Sequence, residues 1–186
     1  SYASISKTKT FAPPTSDAAY LFAQLMRNVE SACIKARRYS LAPQKILVFL
    51  KKNNFDTQGS EASLSRACAC PLEFSDVISM LFKQCYSAGA LYRATGVVLM
   101  DLKPDTGIQY TLFDDPVQAE KIKDLYSAAD EVGQKFGKHA LHLGSSHLID
   151  VLGKGRRGSP TIREQTRLKG ETGRRHLGLP LMHIKV

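Results

Sequence analysis

Four short clusters of polar residues in this chain of 186 residues have the types and spacing to do chemistry. Lys7 and Lys9 alternate with the hydroxyls of Ser6 and Thr8. Arg37 and Arg38 are adjacent, Ser65 precedes Arg66, and Arg93 stands two residues before Thr95. These are cations and neutral donors, a set that grips a polyanion rather than one that makes or breaks bonds. Each has an ordinary alternative. Lysines guard an edge strand against aggregation, arginines complement a helix C-terminus, and any of them can be plain surface charge.

Groups able to carry catalysis or a metal are present but badly spaced. His139 and His142 are three apart, and on a short strand over residues 139–143 that interval sends them to opposite faces. Cys68-Ala69-Cys70 lacks the two-residue gap of a zinc knuckle, and Cys33 and Cys85 supply no second pair. No metal or other cofactor is therefore expected in this chain. The four cysteines read as small apolar residues in a reducing, cytoplasmic setting. A small hydrolase using His142 or Cys70 has no third group to orient it. Gly153-Lys154-Gly155-Arg156-Arg157-Gly158 lacks the Gly-Lys-Ser/Thr order of a phosphate loop, and Asp114-Asp115 is accounted for by helix capping.

The charge distribution sharpens the polyanion reading. Residues 1–100 hold 12 basic and 6 acidic side chains, a net +6. Residues 101–150 are net −4 and residues 151–186 net +7. Counterion release makes nucleic acid the usual partner of such basic blocks. The longest apolar run, residues 46–50, is far too short for a bilayer, so no membrane partner is expected, and no leader for export opens the chain.

The elements that must position these residues follow from periodicity. Residues 4–11 alternate as a strand that Pro13 and Pro14 end. Thr15 or Ser16 caps a helix with Ala18, Phe22, Leu25, Val29, Ala32 and Ala36 on one face. Residues 45–50 form a buried strand, Asn53-Asn54 and Gly59 mark a turn region, and residues 62–70 form a third strand. Ser75 caps a second helix, and residues 93–102 form a fourth strand. The order is β-α-β-β-α-β, which predicts an α+β, split βαβ domain: one four-stranded antiparallel sheet with two helices on one face. The other face is left open, with Lys7, Ser65, Arg66 and Thr95 as candidates to line it. The domain spans residues 1–103. A linker comes next at 104–115, then a helix and short strand at 116–152, and a basic flexible tail at 153–186. Asp115 and Pro116 start the third helix, whose apolar residues are Ile122, Leu125, Ala129, Val132 and Phe136.

Three segments taken together carry a family resemblance: Ser4-Ile5-Ser6-Lys7-Thr8-Lys9-Thr10-Phe11, Ala36-Arg37-Arg38-Tyr39-Ser40-Leu41 and Tyr92-Arg93-Ala94-Thr95-Gly96-Val97-Val98-Leu99. In this order they resemble the C-terminal portion of Y-family translesion DNA polymerases, in the UmuC-like (ImpB/MucB/SamB) branch. The resemblance implies a little-finger, or polymerase-associated, domain whose first strand follows the template backbone of primer–template DNA. It implies phosphate contact by Lys7 and Lys9, with Ser6 and Thr8 as neutral donors. Gln109-Tyr110-Thr111-Leu112-Phe113 resembles that branch's peptide for the bacterial sliding clamp, with Gln109, Leu112 and Phe113 as its contacts. Palm, fingers and thumb would lie N-terminal to residue 1, and the Ser-x-Asp-Glu signature of the metal-binding palm is not in this chain. The implied role is to bind DNA and clamp within an error-prone polymerase of the DNA-damage (SOS) response, while Mg2+ catalysis belongs to the parent protein. A stand-alone nucleic-acid-binding accessory protein of the same fold is the alternative.

Overall fold

The computed structural model describes residues 3–105 and 115–156, with side chains as far as residue 152. Its elements are β1 (Ser4–Thr15), α1 (Ala18–Arg38), β2 (Leu41–Lys52), β3 (Thr57–Ser63), α2 (Pro71–Cys85), β4 (Tyr92–Pro104), α3 (Pro116–Phe136), a 3-10 turn (Gly144–Ser146) and α4 (His147–Arg156). The β-α-β-β-α-β order is the expected one. The sheet runs β1-β4-β2-β3 with every neighbouring pair antiparallel. Ile5, Ile46, Val48, Leu50, Val97 and Leu99 line one sheet face and form a single core with Leu25, Val29 and Cys33 of α1 and Phe74, Ile78 and Leu81 of α2. Among the described residues, no helix is long and apolar enough to cross a membrane.

Several boundaries differ from expectation, each for a local reason. Pro13 and Pro14 do not end β1, because an edge strand loses no ladder bond to a missing N–H. The cap of α1 is Asp17, not Thr15 or Ser16; its carboxylate accepts from the amides of Ala19 at 2.9 Å and Tyr20 at 3.2 Å. The third strand is Thr57–Ser63 rather than residues 62–70. A tight turn closes the β2–β3 hairpin, with the Lys52 amide donating to the Asp56 carbonyl at 2.8 Å. The return strand must therefore begin at once, and Gly59 lies inside it. Its sequence is polar because it is an edge, so apolar alternation could not reveal it. Residues 64–70 instead cross to α2 as a loop that carries Cys68, Ala69 and Cys70 into the core. Pro71 is the first residue of α2, where its fixed φ suits the first turn, and Ser75 lies inside that helix.

Beyond β4 the third helix is as expected, with Asp115 capping the amides of Val117 at 3.0 Å and Gln118 at 3.2 Å. Its apolar face is a core face only in part: Ile122 and Tyr126 pack half-buried against the core. Leu125 is 57% and Phe136 77% exposed, and Ala119 is its one buried residue. Residues 139–143 form no strand. They are an irregular segment, with His139 at φ +68°, that leads into the 3-10 turn and α4. This segment packs on α1, where Arg27, Glu30 and Ser31 are buried polar residues. The Ser146 hydroxyl and the Leu143 amide both donate to Glu30, the latter at 2.6 Å, and Ser31 Oγ meets His139 Nε2 at 3.0 Å. The amphipathic stripe of α1 thus faces the sheet, and its polar stripe holds a second layer of chain.

Candidate nucleic-acid interface

Strand register decides which side chains share a face. Ile5 pairs with Leu99, and both point into the core. Period two then puts Ser4, Ser6, Thr8 and Thr10 on the open face of the sheet, all exposed. Lys7 and Lys9 fall on the helix side, not on the open face where Lys7 was expected. They remain exposed there because β1 is the edge. The middle of the open face is apolar: Leu47 opposes Val98 and Phe49 opposes Gly96. A side chain at Gly96 would collide with the Phe49 ring and come within 2.8 Å of Thr8 Oγ1. Glycine is required there so that the aromatic ring can lie across the strand. Lys45 also stands on this face, paired with Glu61 at 2.6 Å.

Around the β1 edge the cations converge. Lys138, after α3, lies within electrostatic reach of both Lys7 and Arg38, the latter at the exposed end of α1. Desolvation, with the positive charges of Lys7 and Arg38, holds the Lys138 ammonium below the ordinary lysine value. Three like charges from three elements are stable together only where water or an anion screens them. Lys138 was missed because nothing in its local sequence places it beside Lys7.

The remaining candidates divide. Arg37 lies away from the open face. Its Nε and NH2 bind the Asp130 carboxylate at 2.7 Å each, its NH1 donates to the Ala69 carbonyl at 2.6 Å, and its guanidinium stacks 4.8 Å from the Tyr126 ring centre. Arg66 is in the loop before α2, not in a strand, and is ion-paired with Glu73. Ser65 is exposed in the same loop. Thr95 is fully buried and donates to the Phe49 carbonyl at 3.2 Å, so it cannot line the open face. Arg93 is placed over the ring of Phe55, 4.2 Å from its centre, with Lys51 Nζ on the same ring at 5.2 Å. Phe55 is 63% exposed at the hairpin tip, where its φ is +72°. This aromatic tip flanked by two cations was also missed, although Asn53-Asn54 beside an aromatic residue is a readable signal. Gln109, Leu112 and Phe113 lie outside the described residues.

The thiols are interior groups. Cys68, Cys70 and Glu73 bring their ligand atoms within 4.8 Å of one another. The Cys68 thiol donates to Cys70, which pushes the Cys68 thiol up and, with Arg37 and Arg66 nearby, draws the Cys70 thiol down. Burial also pushes the Tyr126 hydroxyl up to about 12. Its oxygen accepts from the Leu72 amide at 3.0 Å, which ties α3 to the start of α2.

Comparison with known proteins gives the family. DNA polymerase IV of Acetivibrio thermocellus is 25% identical over 116 residues, which is 62% of this chain and 29% of that protein. The chain therefore spans under a third of that relative's length. Among solved structures, the insertion ternary complex of Dbh DNA polymerase aligns with a TM-score of 0.46 at 15% identity, covering 52% of this chain and 28% of that one. The little finger domain of PolIV, solved in complex with a beta-clamp processivity factor, aligns with a TM-score of 0.42 at 15% identity, covering 60% of this chain and 99% of that one. Residues 3–112, more than half of the chain, match the impB/mucB/samB family C-terminal domain, and the chain belongs to that family.

Proposed function

We propose that this chain is the DNA-holding part of a Y-family translesion polymerase, whose catalytic domains precede it and supply the Mg2+-dependent nucleotidyl transfer. The primer–template duplex lies along the β1 edge. Phosphates there meet the hydroxyls of Ser6 and Thr8 from the open face, and Lys7, Lys9, Arg38 and Lys138 from the helix side. The unpaired backbone amides of an edge strand face outward between the two rows. Such contacts go to phosphate and carry no base preference, which suits a polymerase that must follow any template. Four carboxylates have structural partners, which suits a non-catalytic role: Asp130 and Asp150 hold arginines, Glu30 caps the 143–146 turn, and Glu73 pairs with Arg66. Gln109, Leu112 and Phe113 form the sliding-clamp peptide in this reading.

The observation that carries the proposal is the exposed edge strand with lysines on one side and hydroxyls on the other. Fluorescence anisotropy of the 186-residue chain with duplex DNA tests it. Affinity should fall by two to three decades between roughly 50 and 200 mM salt, as expected for about five neutralised phosphates. Lys7→Ala with Lys9→Ala should make the salt dependence shallower by about two units, equally for unrelated sequences, with an unchanged melt. Salt-independent affinity, or a double variant that binds as tightly as the parent, would remove β1 from the interface.

A further inference from the structure

The segment laid over the polar stripe of α1 brings three ligand-type groups to one point. His142 Nε2 lies 3.0 Å from His147 Nδ1 and 3.2 Å from Asp150 Oδ2, and all three donor atoms lie within 4.8 Å of one another. His147 and Asp150 are one turn apart on α4, and His142 reaches them from the irregular segment before the 3-10 turn. The histidine spacing is unfit for a metal on a strand, but residues 139–143 form a bend, and the bend turns His142 towards α4.

The hydrogen bonding fixes what this point can accept. His142 Nδ1 lies 3.1 Å from the His139 carbonyl. A carbonyl only accepts, so Nδ1 carries a proton, and whenever the ring is neutral Nε2 presents a bare lone pair. That lone pair faces a carboxylate oxygen and a second imidazole nitrogen. The Asp150 oxygen already has Arg27 for its cation, and a proton on His147 Nδ1 can join the two imidazoles; a metal ion that displaces this proton would find all three donor atoms in reach.

We propose that this ion is a divalent transition metal of the zinc class, held by His142 Nε2, His147 Nδ1 and the Asp150 carboxylate. Two imidazoles and a carboxylate are borderline-to-hard donors, which favours zinc-like ions over calcium or magnesium. The surroundings have the form of an outer shell. A backbone carbonyl orients His142, and the buried Arg27 guanidinium holds Asp150 while also donating to the Ser146 carbonyl at 3.3 Å. His147 stands at the surface, which leaves a side open for entry and for a water ligand. The ion would clasp the 139–146 segment to α4, and through Arg27 to α1, so its role is structural.

Isothermal titration of the full chain, stripped with a chelator, with Zn2+ tests this, alongside the spectrum of the Co2+ form. One equivalent should bind, raise the melting temperature, and give cobalt d–d bands without sulfur-to-cobalt charge transfer. His142→Ala should weaken binding at least about tenfold, since losing an outer-shell partner alone costs that much. His147→Ala, at an exposed position, should do the same with the apo fold intact, which keeps the test valid if His142→Ala fails to fold. Cys68→Ser with Cys70→Ser should bind as the parent does. The proposal is overturned if no ion binds at micromolar concentration, so that only a proton bridges the cluster. It is overturned equally if His147→Ala binds as the parent, or if the cysteine variant abolishes binding.

Discussion

Arg37→Ala should lower the melting temperature by roughly 10 °C and free α3 from the rest of the fold. Arg37 joins the β-α-β-β-α-β body to α3 at several points, binding Asp130 through two bonds, the Ala69 carbonyl through a third, and the Tyr126 ring by its face. Its side chain is 13% and that of Asp130 28% exposed. Removing one partner of so shielded a pair leaves a carboxylate facing α1 without its cation, at a cost of about 3 kcal/mol. For a chain of this size each kcal/mol moves the melt by about 2–4 °C. The local effect should exceed the global one, because α3 buries little apolar surface of its own. Hydrogen exchange in α3 should rise well before exchange in the sheet. Arg37→Lys should recover only part of the loss, since an ammonium cannot form the two-pronged bond. A melt unchanged in Arg37→Ala would show that α3 is held instead by Tyr126 and by the ion pair of Lys123 with Asp105 at the end of β4, 3.1 Å apart.

Leu112→Ala with Phe113→Ala should abolish binding to a bacterial sliding clamp. This expectation rests on the proposed function. Adjacent apolar residues that fill a cleft on a partner act as hot spots worth roughly 2–4 kcal/mol, enough to erase a micromolar contact. The melt should be unchanged, since anchors that await a partner add nothing to the free fold. Surface-plasmon binding to purified clamp beside a thermal scan separates the outcomes. Undiminished binding removes this peptide as the anchor. A collapsed melt makes Leu112 and Phe113 a hydrophobic staple of α3.

Legibility in the sequence tracks the strength of the local signal. Apolar residues in period two or 3.6 located β1, α1, β2, α2 and β4, and with them the topology. Asp115-Pro116 located the start of α3 to the residue. Thr57–Ser63 was not legible because its partner and its turn define it, not its own side chains. The faces of β1 were legible from alternation: residues 5, 7, 9 and 11 share one side. Lys7 therefore goes with the core residues Ile5 and Phe11 and not with the open face, and the pairing of Ile5 with Leu99 agrees. Arg37 and Arg66 read as phosphate ligands because their acidic partners, Asp130 and Glu73, are recognised by contact rather than spacing. Asp130 is 93 residues from Arg37 in the chain. The bend at residues 139–143 was hidden for a similar reason, since its shape is imposed by Glu30 and Ser31 of α1.

The continuous burial of α1 from Ala23 to Cys33 has a consequence for how this protein can diversify. Ordinary surface helices keep a stripe of positions where drift is nearly neutral, and α1 has none over three turns. A change at Val29 is felt by the sheet, and a change one residue later at Glu30 is felt by the turn before α4. Asn28 ties the helix to the sheet, donating to the Thr95 carbonyl at 3.1 Å while its own oxygen accepts from Gln24 one turn earlier in α1. The sheet layer and the histidine-bearing layer therefore share one helix as a common wall. Neither can be remodelled, by selection or by design, without the other being repacked to match.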